Sequence, residues 1–265
     1  MIDMTLKFKE FKNLVYECLE CDYTHIRNLI TEEYFRLNIG DYSLIRSDNY
    51  LAFVPYTKQV VPLICTHYDT IVKDYNLKII EKNNVLSNKN DNILGADDRV
   101  GVAIALALSK KIPLIYLFTD LEEVGGIGAK DFCFNNEYLF YRINSYIGLD
   151  RCGNKDVAIY EYYSDELNRM FMKHKYEVVT GTFTDVSVIA SYIPKPTINI
   201  SVGFNNEHTN QESLDIQAAY HTYEVLCKEL PNLINKQFRD MKCITYMYRS
   251  NIDTYDLYEE ILWQI

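Results

Sequence analysis

Five short segments of this chain carry hard-oxygen or imidazole donors where an α/β protein does its chemistry. Thr66-His67-Tyr68-Asp69 follows the apolar run VVPLIC, Glu122-Glu123 follows IPLIYLFT, Asp150 follows SYIGL and His208 follows TINISVGF, while Gly95-Ala96-Asp97-Asp98 follows a hairpin pattern. Ligands of α/β sheets bind outside the carboxyl ends of the strands. No cysteine occupies any of these positions, so the set suits a hydrolytic metal centre with an open coordination position better than a structural zinc knot. Each segment has a plainer reading alone: Asp97 and Asp98 can cap a helix and compensate its dipole, and Glu122-Glu123 can be a solvated pair. Five such segments at successive strand ends favour the metal reading. Within it, one of two adjacent glutamates can bind metal while the other accepts a proton from water and passes it to a leaving group. Asp69, two residues beyond His67, is placed to accept the second imidazole N–H and fix the tautomer.

The elements that must position these residues follow from periodicity. Residues 5–37 have apolar positions at helical spacing and predict one or two amphipathic helices covering a face of the core. YSLIRS, YLAFVPY and VVPLICTHYD read as strands, and LKIIEKNNVLSNK as a hairpin turning at Asn83-Asn84. Strands and helices then alternate: DDRVGVAIALALSKK helix, IPLIYLFTD strand, a Gly-rich turn and short helix near Ala129, SYIGLD strand, DVAIYEYY strand, SDELNRMFMKHK helix with Ser164 as N-cap, TDVSVIASYI helix, TINISVGF strand, and a helix from about Leu214 to Leu230. Such alternation predicts a single-domain, three-layer α/β/α fold with a central mixed, largely parallel sheet. Residues 1–230 form the expected catalytic domain, with 1–40 as its helical cover, and 231–265 an extension packed on the core.

The motifs THYDT (66–70), LGADDRVGVAIAL (94–106), FTDLEEVGGIGA (118–129), GLD (148–150), GTFTDVSVIA (181–190) and NEHT (206–209) resemble, in this order, the co-catalytic dinuclear zinc peptidase clan of peptidase T, the leucyl aminopeptidases and the tetrahedral aminopeptidases. The resemblance spans roughly residues 60–230. It implies a zinc-exopeptidase, phosphorylase/hydrolase-like fold, with His67, Asp97 and Asp150 holding one metal, Asp97, Glu123 and His208 the other, and Asp97 bridging. It further implies Glu122 as general base, a cis peptide between Asp97 and Asp98, and two divalent ions, zinc first with cobalt or manganese as alternatives. Many relatives insert a lid or dimerisation domain. The gaps here, 30 residues from His67 to Asp97 and 58 from Asp150 to His208, leave no room for one. The lid-borne Arg and His of those relatives are therefore absent, so no cationic clamp for a substrate carboxylate and no oxyanion donor is assigned. Acidic Asp98, Glu122 and Glu207 beside an uncovered site favour instead the α-ammonium of a peptide.

Composition narrows the rest. The chain has 265 residues, 27 basic against 37 acidic side chains and a net charge of −10. Nucleic acid and anionic membranes reward clustered Lys and Arg, so neither is an expected partner. No apolar run approaches the ~20 residues of a membrane span, and the N-terminus is charged throughout, so a cytoplasmic protein is expected. Seven cysteines are read as reduced thiols rather than a disulfide framework. Cys18-x-x-Cys21 with His25 falls at helical spacing with no second CxxC, His174 and His221 lie in predicted helices and are read as surface or capping residues, and Gly125-Gly126-x-Gly128 lacks the Lys of a phosphate loop and is read as letting backbone pass close to Glu123. Trp263 and the tail DTYDLYEEILWQI are expected to pack on the core, or on a second subunit if the protein is a homo-oligomer. The expected function is a metal-dependent aminopeptidase on small peptide substrates. The alternatives are an N-deacylase or other amide hydrolase on the same site, and a non-catalytic peptide-binding relative.

Overall fold

Two helices open the chain, as the periodicity predicts. In α1 (Phe8–Glu20), Phe11, Leu14, Val15, Cys18 and Leu19 lie on one buried stripe. After a break capped by the Asp22 side chain, α2 (Tyr23–Arg36) buries Ile26, Leu29 and Ile30. The computed structural model describes residues 6–37, 41–71, 77–90 and 92–244. Trp263 and the acidic tail lie outside the described residues.

The strands are β1 (Tyr42–Arg46), β2 (Tyr50–Pro55), β3 (Val61–His67), β4 (Ile79–Lys82), β5 (Val85–Asn88), β6 (Ile115–Thr119), β7 (Ile143–Arg151), β8 (Asp156–Ile159), β9 (Tyr162–Ser164), β10 (Glu177–Thr180), β11 (Thr197–Ser201), β12 (Phe204–Asn205), β13 (Ser213–Asp215) and β14 (Met241–Cys243). Eight of them form the central sheet in the order β1-β2-β6-β3-β7-β11-β8-β10. Its middle, β6-β3-β7-β11, is parallel throughout, and β8-β10 is parallel as well. The β1-β2, β2-β6 and β11-β8 pairs are antiparallel, which makes the sheet mixed. β2, β3, β6 and β11 are buried at every residue, as a sheet covered on both faces requires.

The remaining helices are α3 (Ala96–Ser109), α4 (Ile127–Asn135), α5 (Asp165–Met172), α6 (Asp185–Tyr192) and α7 (Ile216–Glu229). α3 packs on β3 and β7 and carries α1 and α7 on its outer side, while α6 packs on β3, β7 and β11 together with α4. The result is the expected three-layer α/β/α architecture. α3 is buried at every residue, which explains its run of Val, Ala, Ile and Leu without amphipathic alternation.

Some segments depart from the pattern. DVAIYEYY is two strands, β8 in the central sheet and β9 paired with β14. The chain breaks between them where the Tyr160 ring packs on Gly181, whose missing Cβ would lie 2.5 Å from it. TINISVGF likewise divides at Gly203, whose φ of +102° turns the chain from β11 into β12. The short, largely exposed β10 carries no buried alternation that would mark it in the sequence, and residues 213–215 form β13 before α7 starts at Ile216. The predicted hairpin is β4-β5, with Asn83 and Asn84 both at positive φ, and it joins a second sheet in the order β12-β13-β5-β4. All seven cysteines are free. No helix among the described residues is long and apolar enough to cross a membrane.

Candidate metal centre

Each predicted segment reaches the same end of the central sheet. His67 is the last residue of β3 and only 2% exposed. Its Nδ1 lies 3.1 Å from the backbone oxygen of Asp69 and 3.3 Å from its carboxylate, and its Nε2 lies 3.2 Å from Asp97 Oδ1 and 3.5 Å from Asp150 Oδ1. Burial alone would push the imidazole down, but Asp150, Asp69 and Asp97 around it hold it well above the ordinary histidine value. On the other side of Asp97, His208 Nε2 lies 3.2 Å from Asp97 Oδ2 and 2.9 Å from Glu123 Oε1. Its contact with Asp97, ahead of that with Glu123, raises His208 to about 9. Asp97 therefore stands between two groups, His67-Asp97-Asp150 and Asp97-Glu123-His208, each offering donor atoms within 4.8 Å of one another.

Other residues fix these donors in place. Asp69 turns its carboxylate to the next loop, accepting from the backbone N–H of Glu122 and of Glu123 at 3.2 Å each. One side chain thus registers the β3 end against the paired glutamates, and Leu121 at φ +59° makes the turn between them and β6. Asp150 Oδ2 accepts from Thr184 Oγ1 at 2.8 Å, and the Asn199 amide brackets the Asp150 backbone at N and O. Glu212, 1% exposed, accepts from Gly95 N at 2.7 Å and Asp97 N at 3.0 Å, and burial raises it to about 7. The peptide between Asp97 and Asp98 is cis, as the resemblance implies.

The residues fit divalent cations. Asp97 Oδ1 is buried and makes no hydrogen bond that meets normal geometry, although His67 Nε2 is 3.2 Å away, and an orphaned carboxylate oxygen of this kind is one that a cation satisfies. Burial also raises Glu122 to about 8 and shifts Glu123 and Asp150 upward, with neighbouring carboxylates adding to the shift. Negative charge concentrated in this way calls for a positive counterpart. The donor set, carboxylate oxygens and imidazole nitrogens, suits zinc, cobalt or manganese.

Two sequence expectations are corrected. Asp98 does not face the substrate side: it is fully buried, accepting from Thr66 Oγ1, from His67 N at 3.3 Å and from Gly101 N at 3.0 Å. It supports β3 and α3 from behind. A cationic side chain does reach the site: a cavity of 590 Å³ over the centre is lined by Asp97, Glu122, Glu123, Asp150 and His208, and also by Arg151, Cys152, Phe183 and Glu207. Gly125 and Gly126 take positive φ at the start of α4, but Gly128 serves a different contact, since a Cβ there would lie 2.3 Å from Asn49 O. Thr184, Asn199 and Glu212 escaped the sequence reading because Thr, Asn and Glu in loops and strands are unremarkable until their partners are known.

The remaining candidates are structural. Cys18 is core, and His25 pairs with Asp22 at the head of α2. His174 Nε2 meets Glu229 at 2.7 Å, and His221 stacks on Tyr176.

The three-layer α/β/α fold is shared with solved structures of several peptidases and of a glutaminyl cyclase. It resembles aminopeptidase PepT from Bacillus cereus with a TM-score of 0.73 and 14% identity, over 87% of this chain and 99% of that one. It also resembles the TET1 peptidase of Pyrococcus horikoshii, at 0.56 and 18%, over 76% and 93%, and the glutaminyl cyclase of Porphyromonas gingivalis, at 0.59 and 13%, over 87% and 99%. No protein-family profile and no curated protein sequence matches the chain. At these identities the likeness is one of fold.

Proposed function

We propose that the protein is a metal-dependent exopeptidase, an aminopeptidase that hydrolyses short peptides, with His67, Asp97 and Asp150 holding one divalent ion and Asp97, Glu123 and His208 a second. The observation that carries this reading is the position of Asp97 between two complete donor groups, with the uncommitted carboxylate of Glu122 in the same cavity. Two such ions supply Lewis acidity and lower the pKa of a bound water. The chain's own residues do the rest. The Glu122 carboxylate accepts the proton of the attacking water and returns it to the leaving amine nitrogen. Asp69 fixes the backbone of Glu122 and Glu123, so base and ligand keep a constant spacing. Asp150, tethered by Thr184, and His67, seated on Asp69, hold the inner face of the cavity.

An amide hydrolase that removes N-acyl groups would use the same residues, and the glutaminyl cyclase neighbour shows that the fold also carries other chemistry. The two readings separate in one assay: a free-amine peptide against its N-acetylated form, with zinc, cobalt or manganese supplied. Release of the N-terminal residue from the free peptide alone supports the aminopeptidase. Equal or preferred cleavage of the acetylated form overturns it.

A further inference from the structure

The cavity of the candidate centre has one feature that the metal groups do not use. In a regular strand, successive side chains point to opposite faces, yet Asp150, Arg151 and Cys152 all line the same cavity. The cause lies in the pairing of β7 with β11. Gly148 stands opposite Asn199 and Arg151 opposite Ser201, three steps on β7 against two on β11. The extra residue is a β-bulge, which re-aims a side chain at the cost of a local kink. It brings Arg151 beside Asp150 on the cavity wall.

Arg151 is held there. Its Nη2 meets Asp156 Oδ2 at 3.1 Å, and the two side chains are each 31% exposed. Asp156 occupies one nitrogen of a planar group that carries five N–H donors, and a guanidinium pinned on one side can take a second carboxylate with its other donors. Glu207, another acid lining the cavity, hydrogen-bonds the Cys152 thiol, and the one carboxylate paired with Arg151 among the described residues is Asp156. Apart from His208, which belongs to a metal group, Arg151 is the only cationic side chain among the described residues lining the cavity. A peptide of two or three residues spans ~7–11 Å, a length that a volume of 590 Å³ accommodates between the metal groups and the wall.

We infer that Arg151 binds the C-terminal carboxylate of the substrate, which makes free-acid dipeptides and tripeptides the substrate class. The inference rests on the proposed peptidase reading and deepens it. A bulged strand on the cavity wall supplies the charge that measures the length of the peptide.

The test uses the metal-loaded full-length protein with trialanine as the free acid and as the C-terminal amide. The expected result is a kcat/KM for the acid ~10-fold or more above that for the amide, the scale of a charge-assisted hydrogen bond, with the difference residing in KM. Arg151→Gln brings the ratio toward one, and Arg151→Lys restores part of it. A wild-type ratio of one or below overturns the inference without recourse to any variant. If neither probe is turned over, titration calorimetry of both probes into metal-loaded Glu122→Gln protein decides: tighter binding of the acid supports the inference, and equal binding or none overturns it. Dependence on a free amine is read separately from N-acetyl-trialanine, so the aminopeptidase reading can fall while the acid-over-amide preference stands.

Discussion

Glu212 holds Asp97 by its backbone: across 115 residues of sequence, Glu212 Oε1 accepts the Asp97 N–H at 3.0 Å. Its second oxygen takes Gly95 N at 2.7 Å, so one buried carboxylate sets the loop from which the Asp97 side chain projects. Glu212→Ala leaves two N–H groups without this acceptor, at about 1–3 kcal/mol each where they stay buried. It is expected to lower metal affinity by ~10–100-fold, the usual effect of losing support behind a ligand. Isothermal titration of zinc into metal-free protein measures this, and an unchanged affinity would show that the loop is fixed without Glu212.

On the proposed mechanism the paired glutamates have separable roles. Glu122→Gln is expected to keep metal stoichiometry near wild type while kcat falls ~10²-fold or more, the scale of general acid–base catalysis. Glu123→Ala removes the partner that lies 2.9 Å from His208 Nε2 and is expected to reduce metal content. Elemental analysis beside peptidase assays distinguishes the two, and the opposite pattern would exchange their assignments.

Gly101 is the closest approach of α3 to the sheet at the site. A Cβ there would lie 2.3 Å from both Asp98 Oδ1 and Leu149 O, and the latter is backbone that cannot swing aside. Gly101→Ala is therefore expected to destabilise the fold by about 1–3 kcal/mol or more, as overpacking does. A lowered urea midpoint with an unchanged slope would register it, and a midpoint within error of wild type would contradict the close contact.

Asp240 supplies a pH dependence far from the centre. Although partial burial opposes it, hydrogen bonds from Ser164 Oγ at 2.5 Å and Glu166 N at 2.8 Å hold its carboxyl below the usual value. A carboxylate whose folded pKa is depressed stabilises the fold fully above its unfolded value, ~3.9, and loses that contribution as pH falls through the folded one. The melting temperature of wild type should exceed that of Asp240→Ala at neutral pH, and the two should converge as the pH drops below ~4. A gap independent of pH would assign the effect to packing.

What the sequence made legible was local. His67, Asp97, Glu123, Asp150 and His208 each follow a recognisable strand or hairpin, so strand ends and residue type mark the five segments, while the choice of Asp97 over Asp98 and of Glu123 over Glu122 as donors rests on the family resemblance. The layered architecture was legible for the same reason, since buried strands and a fully buried α3 leave long apolar runs. The unforeseen features depend on register and distant partners. The bulge that turns Arg151 into the cavity exists only in the pairing of β7 with β11, and the inward turn of Asp98 is set by Thr66 and Gly101. Neither leaves a mark in composition or periodicity.

The uneven burial of the centre divides its durability. His67 and Asp97 belong to β3 and α3, elements buried at every residue, whereas the His208 side chain is 46% exposed on the loop between β12 and β13. Amides of fully buried elements such as these are expected to exchange close to the global unfolding limit, and those around His208 to open locally at lower free energy. On that ground the His208 side of the centre is expected to open more readily than the His67 side. Hydrogen exchange around residues 206–211 would accordingly run ahead of that in α3 by orders of magnitude.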